Sequence, residues 1–233
     1  MDDTLADRRF SDQGFEALAH DPNYLQIREL LTNSEFSAGD AVLLYVTGHG
    51  QSEHGVHWVV LHDSEPGKLS HKSLATADLI RWLADYRDLR HVLVIIDLCQ
   101  GGDVVDEIPA ALQQVLPDSW FVLLTAPAGA DARLGAFSGV LKSLISDIRA
   151  GAGPEGSNDV EPYLHAPDFI GELHERLSKQ HHQKLIVMNP PWRTSVCLPN
   201  PRYRASELAT VATSPARRDL ALLQSALDTH WLH

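Results

Sequence analysis

Apolar runs alternating with helical patterns organise this chain. Ala41–Thr47 (AVLLYVT), Val92–Ile96 (VLVII) and Trp120–Thr125 (WFVLLT) are short, continuous and rich in β-branched or aromatic residues. Runs of that length and composition read as strands buried on both faces, the kind a parallel sheet uses. Val56–Leu61 reads as the second arm of a hairpin across a polar turn at Gln51–Gly55, and Lys184–Met188 as a last strand.

Between the strands the period changes to that of a helix. Tyr24–Leu31 brings Leu25, Ile27, Leu30 and Leu31 together, and Thr76–Tyr86 does the same for Leu79, Ile80, Leu83 and Tyr86. Ala136–Ile148 carries Val140, Leu141, Leu144, Ile145 and Ile148 at helical spacing, and a short helix fits Pro109–Leu116. Asp168 is placed to cap a helix through Lys179 with Phe169, Ile170, Leu173 and Leu177 as its buried stripe. Gly151–Asn158 reads as a flexible connection and Asn189–Arg204, rich in proline, as extended chain. Strands alternating with amphipathic helices predict an α/β fold with a mostly parallel sheet flanked by helices. The expected organisation is one domain over residues 1–204, with an irregular lead-in at 1–21, and a helical tail at 205–233.

Composition narrows the function classes. With 233 residues the chain is long enough for one well-buried core. A net charge of -12 argues against nucleic acid or an anionic membrane surface as partner. No apolar run approaches membrane-spanning length, and no secretory leader opens the chain. The two cysteines, Cys99 and Cys197, are too few for a disulfide framework and point to a reducing, cytoplasmic setting.

Chemistry gathers at two strand ends. The Val92 run ends in Asp97-Leu98-Cys99-Gln100-Gly101-Gly102, which puts a carboxylate and a thiol at the carboxyl end of a central strand. Open α/β sheets bind their ligands at such ends. The Ala41 run ends in Gly48-His49-Gly50, which presents a histidine between two glycines. Cysteine attacks as the thiolate and needs a nearby base, and histidine can serve as that base and later protonate a leaving amine. The N–H groups of Gly50 and Cys99 are candidates for stabilising an oxyanion.

These motifs resemble the caspase family in the broad sense that includes metacaspases and bacterial caspase-like peptidases. The family signature is a cysteine followed by Arg, Gln or Gly and then Gly, with a histidine about 50 residues upstream. Cys99-Gln100-Gly101 and His49 match it. Tyr45–Gly50 (YVTGHG) looks like the histidine strand, and Ile95–Gly102 (IIDLCQGG) like the cysteine strand of the metacaspase-like branch. Leu123–Gly129 and Gly135–Leu144 resemble the strand and helix that follow, so the likeness spans roughly residues 40–201. It implies a caspase-like sandwich and a cysteine endopeptidase with no cofactor and no metal, in which Cys99 is the nucleophile and His49 the general base and acid. In the metacaspase-like branch an acidic residue at the place of Asp97 selects Arg or Lys before the scissile bond. Asp131 is a second candidate for that pocket, with an ordinary turn aspartate as the alternative.

Two departures accompany the resemblance. The family's first strand and helix have no counterpart in the lead-in, so the expectation is either a truncated chain or a sheet completed by another segment or subunit. Animal caspases carry Gln-Ala before the cysteine, whereas this chain has Asp97-Leu98. Bacterial relatives are often coupled to signalling or defence modules, so a regulatory or sensor protein is an expected partner beside the peptide substrate. The alternative from another class is a catalytically silent caspase-like interaction module. His54, His57, His62 and Asp63 also raise a metal-dependent amidohydrolase, but hairpin residues alternate faces, and His57 shares its face with Val59 and Leu61 while His62 lies opposite. Cys197, in a proline-rich stretch without an obvious base, reads as structural.

Overall fold

The structure, a computed structural model, describes residues 22–36, 41–86, 89, 91–108, 120–126, 130–133, 135–154, 161, 163–188, 196–200 and 202. They fall into two units. One holds the described residues between Leu18 and Phe137 and between Leu177 and Pro190, and the other those of Ser138–Arg176 and those after Pro191.

The first unit is built on a six-stranded sheet of order β3-β2-β1-β4-β5-β7. Its strands are β1 (Ala41–Glu53), β2 (Val56–Val60), β3 (Leu74–Ala75), β4 (His91–Leu98), β5 (Trp120–Leu124) and β7 (Ile186–Met188). β1, β4 and β5 run parallel, while β2 and β7 are antiparallel to their neighbours β1 and β5. The fold is therefore α/β with a mixed, mostly parallel open sheet, as the alternating pattern predicts.

Alternation along β4 divides its side chains between two environments. Val92, Val94, Ile96 and Leu98 join Val122 and Leu124 of β5 in a core closed by two helices, α1 (Tyr24–Asn33) and α3 (Thr76–Ala84). Ile27 and Leu31 come from α1, and Leu79, Ile80 and Leu83 from α3, the residues their periodicity singles out. Asn23 opens α1 with a capping box, its side chain accepting from the Gln26 N–H while the Gln26 side chain accepts from the Asn23 N–H. Leu93, Ile95, Phe121 and Leu123 lie buried on the opposite face of the sheet, where Tyr45 packs on Phe137 with ring centroids 6.0 Å apart. Both faces of β4 and β5 are thus covered, which explains their unbroken apolar runs.

β1 differs from its expected form. It continues through Gly48-His49-Gly50 to Glu53, and the turn is confined to His54-Gly55. The continuation is held by β2, from His49↔Val60 to Glu53↔Val56. Gly48, at φ +147, carries the strand across the glycine pair in a conformation other residues rarely adopt. A single turn of helix, α2 (Leu69–Lys72), leads into β3.

The second unit contains the described part of α4 (Ala136–Ala150) from Ser138, that of α5 (Ala166–His181) up to Arg176, and a two-stranded sheet of β6 (Tyr163–His165) with β8 (Val196–Pro199). Arg176 joins Glu172 at 2.6 Å and reaches Asp147 on α4. α5 begins at Ala166, so Asp168 sits in its first turn rather than capping it, where a carboxylate still complements the helix dipole. The proline-rich stretch contributes β8, whose backbone includes Cys197. The predicted Pro109–Leu116 helix, the lead-in at 1–21 and the tail at 205–233 lie outside the described residues. No helix among the described residues is long and apolar enough to cross a membrane.

Candidate active site at the ends of β1 and β4

The parallel ladder between β1 and β4 runs in register from Ala41↔His91 to Gly48↔Leu98. One step further along each chain come His49 and Cys99. Two residues 50 apart in sequence are thereby brought to adjacent positions at one end of the sheet. Alternation puts Tyr45 and Thr47 of β1 and Ile95 and Asp97 of β4 on one face of the sheet. His49 is exposed and Cys99 partly so. The thiol of Cys99 is free, and Sγ lies 3.9 Å from the Ala132 carbonyl.

Asp97 is buried, 5% exposed, yet both carboxylate oxygens are engaged. The Thr125 hydroxyl donates to Oδ1 at 2.7 Å and the Tyr45 hydroxyl to Oδ2 at 2.9 Å. Each oxygen keeps a further lone pair, so the carboxylate can still accept from a cation. Burial pushes the Asp97 pKa up, and the two hydrogen bonds work against that rise. Asp131 is exposed, on the loop whose flanking carbonyls meet the turn after β4: Ala130 O accepts from the Gln100 N–H at 2.6 Å, and Ala132 O faces Cys99.

The turn after Cys99 is fixed by side chains from the β1–β2 hairpin. Gln100 adopts a left-handed conformation, φ 56° and ψ 19°. Its side-chain Oε1 accepts the Ser52 N–H at 2.8 Å, and the Ser52 hydroxyl bonds to Asp103. His57, 1% exposed on β2, brings Nε2 to 2.8 Å from Cys99 O and Nδ1 to 2.7 Å from the Thr76 hydroxyl. A carbonyl only accepts, so Nε2 carries the proton and Nδ1 of the neutral ring accepts from Thr76. Burial lowers the His57 pKa, outweighing the bond to Cys99 O and the charge of Asp103, which raise it. Because the folded state depresses this pKa, the associated stability is present above the unfolded value of 6.5 and is lost as pH falls through the folded one.

Gly50 belongs to this arrangement by its lack of a side chain. A Cβ there would lie 2.4 Å from Cys99 O, 2.7 Å from His57 Nε2 and 2.9 Å from Leu98 Cβ. Gly50→Ala must therefore displace the turn or the histidine, at a cost of about 1–3 kcal/mol. A urea titration is expected to show a lower midpoint with an unaltered slope.

His49, Gly50, Asp97, Cys99 and Asp131 all come from the two strand ends and the loop beside them. His57 was the residue that pattern reading passed over as a possible metal ligand. The signal is its place on the apolar face shared with Val59 and Leu61, since a buried imidazole must find partners. Among the described residues, no three His, Cys, Asp or Glu side chains gather closely enough to hold a metal ion. No protein-family model matches the chain, and no curated protein matches it.

Proposed function

We propose that the chain is a caspase-like cysteine endopeptidase that cleaves after Arg or Lys. The observation that supports this reading is the β1–β4 register, whose last pair, Gly48↔Leu98, is followed on the two chains by His49 and Cys99. In this mechanism His49 takes the Cys99 proton and the thiolate attacks the scissile carbonyl carbon. The N–H groups of Gly50 and Cys99 donate to the resulting oxyanion. Collapse expels the amine, protonated by His49, and leaves a thioester on Cys99. A water deprotonated by His49 then hydrolyses the thioester and frees the enzyme. Asp97 accepts the substrate cation, with Asp131 adding negative charge at the rim, and a sensor or regulatory protein is the expected partner that controls access.

A peptidyl-arginine acyloxymethyl ketone tests the reading by capturing the nucleophile. The expected product is a single thioether on Cys99, absent in Cys99→Ala and formed much more slowly in His49→Ala. Labelling of Cys197 instead, or equal rates with and without His49, would contradict the proposal.

Basic specificity also limits self-processing. From Gly101 to Ala132 the chain contains no Lys or Arg, and Arg133 is the next basic residue. A pocket for basic residues leaves this connection uncut, so the active protein is expected to remain one chain. Intact-mass measurement after prolonged incubation checks this, and a cut between Cys99 and Trp120 would refute it.

A further inference from the structure

We infer that His57 is a positioning residue for the nucleophile, acting through the peptide unit that joins Cys99 to Gln100. The inference rests on the peptidase reading and adds to it a residue outside the Cys-His dyad. The peptide unit is planar, so hydrogen bonds at its two ends fix its orientation. Here the carbonyl end accepts from His57 Nε2 at 2.8 Å, and the N–H end donates to Ala130 O at 2.6 Å. With that plane held, the ψ torsion of Cys99 is restrained, and with it the direction of the Cα–Cβ bond that carries the thiol.

Three features distinguish this from ordinary filling of the core. His57 is 1% exposed and uses both ring nitrogens, so its tautomer is determined by its partners. Thr76 is the first residue of α3, where a hydroxyl commonly satisfies the helix's own N–H groups, but its oxygen lies 2.7 Å from His57 Nδ1. Gly50 is the third feature, because any Cβ there would enter the space between Cys99 O and His57 Nε2. Thr76, His57 and Gly50 thus come from a helix and two strands to act on one carbonyl.

The consequence lies in the chemical step. A nucleophile displaced by about 1 Å costs on the order of 10²-fold in rate. His57→Leu removes the donor to Cys99 O, whereas His57→Gln keeps an amide N–H that can reach the same carbonyl. Thr76→Val is a gentler probe. It removes the proton that Nδ1 accepts and leaves the ring held at Cys99 O alone, while Thr76→Ser retains both contacts.

The experiment measures kcat and KM of the full chain and its variants on an arginyl peptide, with thermal melts alongside to establish that each is folded at the assay temperature. The expected result is a kcat lowered about 10- to 100-fold in His57→Leu and Thr76→Val with KM nearly unchanged. His57→Gln and Thr76→Ser are expected within a few-fold of wild type. Unaltered kcat in folded Thr76→Val or His57→Leu would overturn the inference while leaving the peptidase reading standing. Inactive wild type would overturn both. Should His57→Leu fail to fold, the Thr76→Val and Thr76→Ser pair decides the question alone.

Discussion

Replacing Cys99 with alanine is expected to lower peptide hydrolysis by about 10⁴-fold or more while leaving the fold intact. The side chain is partly exposed, and its thiol makes a long 3.9 Å approach to Ala132 O. Its loss should change stability by no more than about 0.5 kcal/mol. His49→Ala is expected to show a comparable defect, because without the adjacent base little thiolate forms and the leaving amine goes unprotonated. Since the two residues act as a unit, the double variant should be scarcely worse than either single one. Kinetics on all three, with melting curves to verify folding, checks the pattern. Additive losses would mean that the two side chains act separately, contrary to what their register implies.

Asp97→Asn is expected to separate activity from stability. Breaking a buried charge pair by neutralising one member costs about 3–5 kcal/mol, so cleavage after Arg or Lys should fall roughly 10²- to 10³-fold. Stability should move the other way. Burial raises the Asp97 pKa more than Thr125 and Tyr45 lower it, so the folded state disfavours the ionised form. A carboxyl group raised in the folded state contributes stability below its unfolded value, 3.8 here, and loses it as pH climbs through the folded value. The ionised form is the one the fold disfavours, and asparagine removes that charge while its amide can still exchange hydrogen bonds with both hydroxyls. The variant is expected to melt at or above the wild-type temperature at pH 7, and the difference should shrink toward pH 4. A destabilised variant with unchanged cleavage of basic substrates would make Asp97 a structural carboxylate alone.

Much of the scaffold was legible because its strands are extreme cases. β4 and β5 are covered on both faces, and such strands leave an apolar run that no exposed segment would keep. α3 was equally plain, since Leu79, Ile80 and Leu83 bury one stripe. β1 was misjudged at its end. Gly48 and Gly50 read as breakers, yet the ladder to β2 carries the strand onward, and the glycines serve backbone geometry and close approach instead. β6 and β8 gave no signal at all. They are three and four residues long, one in proline-rich chain, and they exist through mutual pairing rather than local preference.

The site followed a similar rule. His49, Asp97 and Cys99 interrupt apolar or glycine-rich patterns with reactive groups, and the sheet brings them to one end. His57 interrupts a pattern as well, but in a stretch crowded with histidines, where His54 and His62 drew attention to metal binding. Its role depends on the positions of Thr76 and the Cys99 carbonyl, which no local pattern encodes. The same holds for the clasp of Asp97 by Tyr45 of β1 and by Thr125, just past the end of β5.

The most direct test is hydrolysis of matched fluorogenic peptides ending in Arg, Lys or Asp by the wild-type chain and by Cys99→Ala, with and without calcium. The account predicts release from the Arg or Lys peptides by wild type alone. Activity that survives in Cys99→Ala, or no hydrolysis of any of the three peptides by wild type, would contradict it.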